Sequence, residues 1–122
     1  MAKRNSNVSQ KTARSKTRAR PGLALAREYA ARLRARLGDR LREVILFGSQ
    51  ARGDATPASD YDIIVIVDRK DRVVRELIID TDVEMMDTHE VLFAALIYDE
   101  QEWRRAQAFP LAWNVRREGI AL

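Results

Sequence analysis

The chain contains no cysteine, which excludes disulfides, thiolate zinc sites, iron–sulfur clusters and a cysteine nucleophile. It has one histidine, His89, too few to build a histidine metal site. Metal chemistry is then left to oxygen ligands, and the 18 Asp and Glu residues can supply them. Long apolar runs are also missing: a run such as Ile63 to Val67 is far too short to span a bilayer. The charged N-terminus is not followed by the apolar stretch of a secretory signal. A cytoplasmic protein with no membrane partner is the expectation.

Acidic residues are absent from residues 1–20, MAKRNSNVSQKTARSKTRAR, which hold seven Lys and Arg. Removing those seven from the total of 22 leaves 15 basic against 18 acidic residues, a balance of −3. The formal +4 of the whole chain therefore belongs to the tail. With Val8 as its one large apolar residue after Met1, the tail cannot bury enough surface to offset its ordering entropy, so it reads as disordered. It either solubilises or touches phosphate through charge alone, since it has no aromatic side chain to stack on bases. Residues 21–122 are enough for one core and one domain.

Within that domain, Leu23 to Leu37 carries apolar residues at helical spacing, with Gly38 as its stop. Leu41 to Phe47 ends in Val44-Ile45-Leu46-Phe47, a buried strand, and Ile63 to Val67 reads as a second. Asp71 to Ile79 predicts a two-turn helix. The alternation in Asp82 to Met86 predicts a third strand, and Thr88 a cap for a helix from His89 to about Tyr98. Pro110 and Gly119 bracket a last helix, expected to bury Leu111, Trp113 and Val115. The expected fold is α/β (α+β), a small mixed sheet of three to four strands flanked by helices.

The segment from Leu46 to Val65 is the informative one. Asp60 and Asp62 stand two apart at the head of an apolar strand, so period-2 geometry puts both carboxylates on one face. Side by side they repel unless a cation lies between them. Read alone, the pair serves equally as a solvated cap at a strand entry. Gly48 follows a buried strand directly, where glycine lets a ligand approach the backbone. Ser49 then opens a helical turn whose N–H groups and hydroxyl can hold phosphate, or it simply caps the turn. On neighbouring strands, the two features would set a phosphate cradle beside a metal pair. Arg52 either reaches a triphosphate from this turn or pairs with Asp54 at the surface.

Gly48-Ser49, ten intervening residues with Ala51-Arg52-Gly53 among them, then Ser59-Asp60-Tyr61-Asp62, resembles the minimal nucleotidyltransferases of the DNA polymerase β-like superfamily. The resemblance implies two Mg²⁺ ions and transfer of NMP from an NTP such as ATP, with release of pyrophosphate. Gly48 and Ser49 would hold the triphosphate, and Asp60 and Asp62 the metal. The pattern also calls for a third carboxylate on a neighbouring strand. Asp82 is the first candidate and Glu84 the alternative, both placed on the expected Asp82–Met86 strand.

The resemblance further implies a partner. Similar stand-alone members work beside small helical HEPN-domain proteins, and some inactivate them by adding AMP to a tyrosine hydroxyl. The expectation is thus an antitoxin of a HEPN/MNT-type pair. The alternatives are an enzyme acting on a small molecule or an RNA end, and a binding module that has kept the fold and lost catalysis.

Overall fold

A computed structural model describes residues 21–122; the basic tail expected over 1–20 lies outside the described residues. Helix α1 runs Pro21–Leu37 and ends at Gly38, which takes φ +57° in a short 3-10 turn, Gly38–Arg40. Strand β1 is Leu41–Phe47, the one-turn helix α2 is Ser49–Arg52, and β2 is Tyr61–Val67. Helix α3, Arg72–His89, leads to β3, Phe93–Asp99. Helices α4 (Glu100–Ala106) and α5 (Pro110–Glu118) follow, and β4, Ile120–Ala121, closes the chain.

The sheet has the order β3-β2-β1-β4 and is mixed: β2 pairs antiparallel with β1 and parallel with β3, and β4 pairs antiparallel with β1. A parallel pair needs a crossover, and α3 supplies it. The central strand β2 is covered on both faces, which is why Ile63 to Val67 is continuously apolar. On one face, Val44, Leu46, Ile63, Val65 and Val67 pack against α1 and α3. On the other, Ile45, Ile64 and Ile66 pack against Val115 of α5, with Phe47, Tyr98 and Trp103 at the margin.

The expected helix–strand–helix division of residues 71–98 is corrected. Residues 72–89 form one helix of 18 residues, and the third strand lies after it. Its buried residues, Val74, Ile78, Thr81 and Met85, recur at spacings of four, three and four, a single helical face. The alternation in Asp82–Met86 is a short sample of that period. No Gly or Pro occurs between Pro57 and Pro110, so nothing breaks the helix at residue 80. Asp71 caps its start, accepting from the Val74 N–H at 3.0 Å, and Glu90 ends it at φ 57°. In α5, Ala112 and Val115 are buried, while Leu111 and Trp113 are exposed. The Trp113 indole instead donates to the Gln107 carbonyl at 2.8 Å.

Candidate active site

The site begins with a glycine that no other residue can replace. Gly48 adopts φ 75°, ψ −157°, a conformation all but closed to side chains. A Cβ there would also lie 2.4 Å from Oδ2 of Asp62. Backbone and carboxylate therefore meet directly, because β1 and β2 pair Phe47 with Asp62. From Gly48 the chain turns at once into α2: the Arg52 and Gly53 N–H groups donate to the Gly48 and Ser49 carbonyls at 3.0 and 2.9 Å. Gly53, at φ 88°, ends the turn in the left-handed region. Gly48 and Ser49 thus stand at the sheet edge directly beside the acidic strand.

Asp62 alternates with Tyr61 and Ile63, which face α1 and α3, so its carboxylate lies on the α5 side of the sheet. Asp60 stands just before the strand, near enough for its charge to act on Asp62. Burial raises the Asp62 carboxyl above its ordinary value, and the Asp60 charge raises it further, while Arg52 opposes both. Neither carboxylate has a hydrogen-bond or ion-pair partner among the described residues. Tyr61 points to the opposite face and stacks on Phe93 at 4.5 Å.

The candidates for a third carboxylate are elsewhere. Asp82 lies on α3, where the Tyr29 hydroxyl donates to its Oδ1 at 2.6 Å. Burial pushes the Asp82 carboxyl up to about 6, with the Tyr29 hydrogen bond acting against the rise. Tyr29 in turn stacks on Phe93 at 4.2 Å, on the face of the sheet opposite Asp62. Glu84 accepts from Arg32 at 2.8 Å and also pairs with Arg36, tying α3 to α1. The placement of Asp82 and Glu84 on a strand beside Asp62 is therefore corrected. The register position across from Asp62 on β3 is Ala94, which carries no ligand. No group of three or more His, Asp and Glu side chains converges on one point among the described residues.

Arg52 makes the surface pair expected of it and one contact that was not. Its Nε donates to Asp54 at 3.2 Å, and its Nη1 donates to Glu118 at 2.9 Å. Glu118 escaped the sequence reading because it stands 66 residues away in a helix taken as packing only.

The profile of the Nucleotidyltransferase domain family matches residues 26–109, a span that holds Gly48, Ser49, Asp60 and Asp62. The chain belongs to this family. A Methanocaldococcus jannaschii protein with the provisional name protein adenylyltransferase MJ0604 is 30% identical over 96 residues, covering 79% of this chain and 92% of that protein. Among solved structures, a toxin–antitoxin with AMP-PNP aligns with a TM-score of 0.50 at 20% identity, over 77% of this chain and 69% of that one. A Sulfolobus solfataricus structure, provisionally named a nucleotidyltransferase, aligns with a TM-score of 0.48 at 23% identity, over 93% and 87%. This nucleotidyltransferase therefore has the fold that its motif implied, and its family implies an NTP substrate and a divalent metal. The residues present fit such a metal: two adjacent oxygen-donor groups, one with its charge disfavoured by the other, are what a hard cation relieves.

Proposed function

We propose that this nucleotidyltransferase moves AMP from ATP to a hydroxyl on a partner protein, as the antitoxin of a pair with a HEPN-domain toxin. The observation that carries the reading is the direct approach of Gly48 to Asp62 beside Asp60. A glycine at this point leaves no side chain over the turn, so a phosphate chain can come up to its backbone beside the carboxylates. Gly48 and the Ser49 hydroxyl hold the triphosphate in this reading, and Arg52 reaches it from the end of α2.

Asp60 and Asp62 hold magnesium, as two ions. Bound there, magnesium supplies charge neutralisation on the phosphates and a lowered pKa for the acceptor hydroxyl. The acceptor oxygen bonds to the α-phosphorus, the bridging bond to the β-phosphate breaks, pyrophosphate leaves, and the hydroxyl proton passes to water. Asp82 takes no part, because Tyr29 holds it on the opposite face. A protein acceptor is supported by the name of the M. jannaschii relative, which the chain matches over most of both lengths.

The test is direct. The protein is incubated with magnesium, labelled ATP and the product of a neighbouring reading frame that encodes a small helical protein. The expected outcome is label on a tyrosine of that protein, abolished by Asp60→Asn with Asp62→Asn. Label on RNA or a small hydroxylated compound would move the acceptor class. No transfer, with partner binding unchanged in the double variant, would make the chain a binding module.

A further inference from the structure

One side chain joins the turn after β1 to the last helix. Arg52 ends α2, and Glu118 ends α5. The Arg52 Nη1 donates to Glu118 Oε1 at 2.9 Å, and its Nε donates to Asp54 Oδ2 at 3.2 Å. Two of the three guanidinium nitrogens are thereby committed. The third, Nη2, has no partner among the described residues.

The fold delivers Glu118 to this point by construction. Ile120 of β4 pairs with Leu46 of β1, so the end of α5 is carried to the end of β1. Gly119 permits the close approach: a Cβ there would lie 2.8 Å from Ile45 Cγ2 and 2.4 Å from the Val115 carbonyl oxygen. Buried Val115 seats the rest of the helix on Ile45, Ile64 and Ile66. The Arg52 and Glu118 side chains keep 46% and 26% of their exposure, and an ion pair that open adds little to stability. What such a pair does provide is orientation of a planar group with a fixed fork of donors.

We propose that Glu118 is a positioning residue for the nucleotide: with Asp54 it holds the Arg52 guanidinium at the edge of the Gly48–Asp62 cradle, leaving Nη2 to donate to a triphosphate oxygen. The inference rests on the nucleotidyltransferase reading of that cradle and adds to it a contribution from the C-terminal helix. An arginine already ordered loses less side-chain freedom when phosphate arrives. The guanidinium so held belongs to the last residue of the turn that Gly48 opens, four residues along the chain from the cradle glycine.

A double-mutant cycle on the full chain tests this, with Mg-ATP binding measured by calorimetry and folding by thermal unfolding. Arg52→Ala is expected to weaken binding about tenfold or more, as loss of a charge-assisted hydrogen bond does. Glu118→Ala should weaken it about three- to tenfold, and should have no further effect in the Arg52→Ala background. Glu118→Gln keeps an acceptor oxygen and should bind within about twofold of the wild type, since orientation and not charge is the role. If Glu118→Ala lowers the thermal midpoint, Glu118→Met keeps bulk and helix propensity without the acceptor and replaces it. Equal loss from Glu118→Ala with and without Arg52, or binding as tight as wild type in Glu118→Ala, would overturn the proposal. A wild type that does not bind Mg-ATP would overturn the cradle reading with it. A wild type that binds, with Arg52→Ala unaffected, overturns the positioning role alone.

Discussion

The two faces of the sheet treat their carboxylates in opposite ways. On the α1/α3 face, every acidic group named above has a donor. Tyr29 donates to Asp82, Arg32 and Arg36 hold Glu84, and aromatic rings of Tyr29, Phe93 and Tyr61 stack in series beneath. On the α5 face, Asp62 stands against the Gly48 backbone with the Asp60 charge near it, neither has a donor among the described residues, and exposed Ala94 of β3 lies across from Asp62 in register. The carboxylates of the α1/α3 face have partners within the fold, although burial still disfavours the charge on Asp82. Two adjacent carboxylates without donors raise the folded state's energy, and in the proposed reading a ligand relieves it. The contrast separates structure from chemistry in a chain whose acids all look alike in sequence.

The comparison breaks most visibly if Asp60 and Asp62 are made neutral. Asp60→Asn with Asp62→Asn should lower nucleotidyl transfer on the order of a thousandfold or more, by labelled-ATP assay. Urea unfolding should show stability unchanged or raised, since a like-charge contact is removed. Gly48→Ala comes next. It forces a side chain into φ 75° and against Asp62, and should destabilise by about 2–4 kcal/mol while abolishing transfer. On the other face, Tyr29→Phe removes the donor to Asp82 and should cost about 1–3 kcal/mol in urea, with transfer per folded molecule unchanged.

Asp82 sharpens the contrast through pH. Its carboxyl is raised to about 6 in the fold against 3.8 for the free group, so between those values the native state binds the proton more tightly than the unfolded chain. Stability should therefore fall as pH rises from about 4 to about 6, by at most about 3 kcal/mol, and by less than that because water screens this part-buried group. Asp82→Asn should flatten that slope in urea titrations across the window. The smallest effect is expected from Glu84→Gln, which keeps an acceptor oxygen for the two half-exposed arginines and should shift the urea midpoint little.

The parts legible in sequence were those set by local chemistry. Gly48-Ser49 and Asp60-x-Asp62 lie within one β-turn-β unit, so their spacing alone brings them together. The strands β1 and β2 announced themselves as apolar runs, and the mixed α/β class followed. What failed was a question of period. Over Asp82–Met86 a helix face with buried Thr81 and Met85 imitates a strand, and only the longer window from Val74 resolves it. That error carried Asp82 and Glu84 to the wrong face. Strand β3, Phe93 to Asp99, was hidden because its outward residues, Ala94 and Leu96, are apolar and give no alternation. Glu118 was invisible for another reason: its approach to Arg52 depends on the β1–β4 pairing, a contact between distant parts of the chain.

The central claim is that ligand chemistry belongs to the α5 face and fold stability to the other. The most direct test is the thermal midpoint of three proteins with and without Mg-ATP. Binding to the native state alone raises that midpoint. The wild type and Asp82→Asn should both show the rise, and Asp60→Asn with Asp62→Asn should show none. A rise that survives in the Asp60/Asp62 variant and disappears in Asp82→Asn would contradict the account.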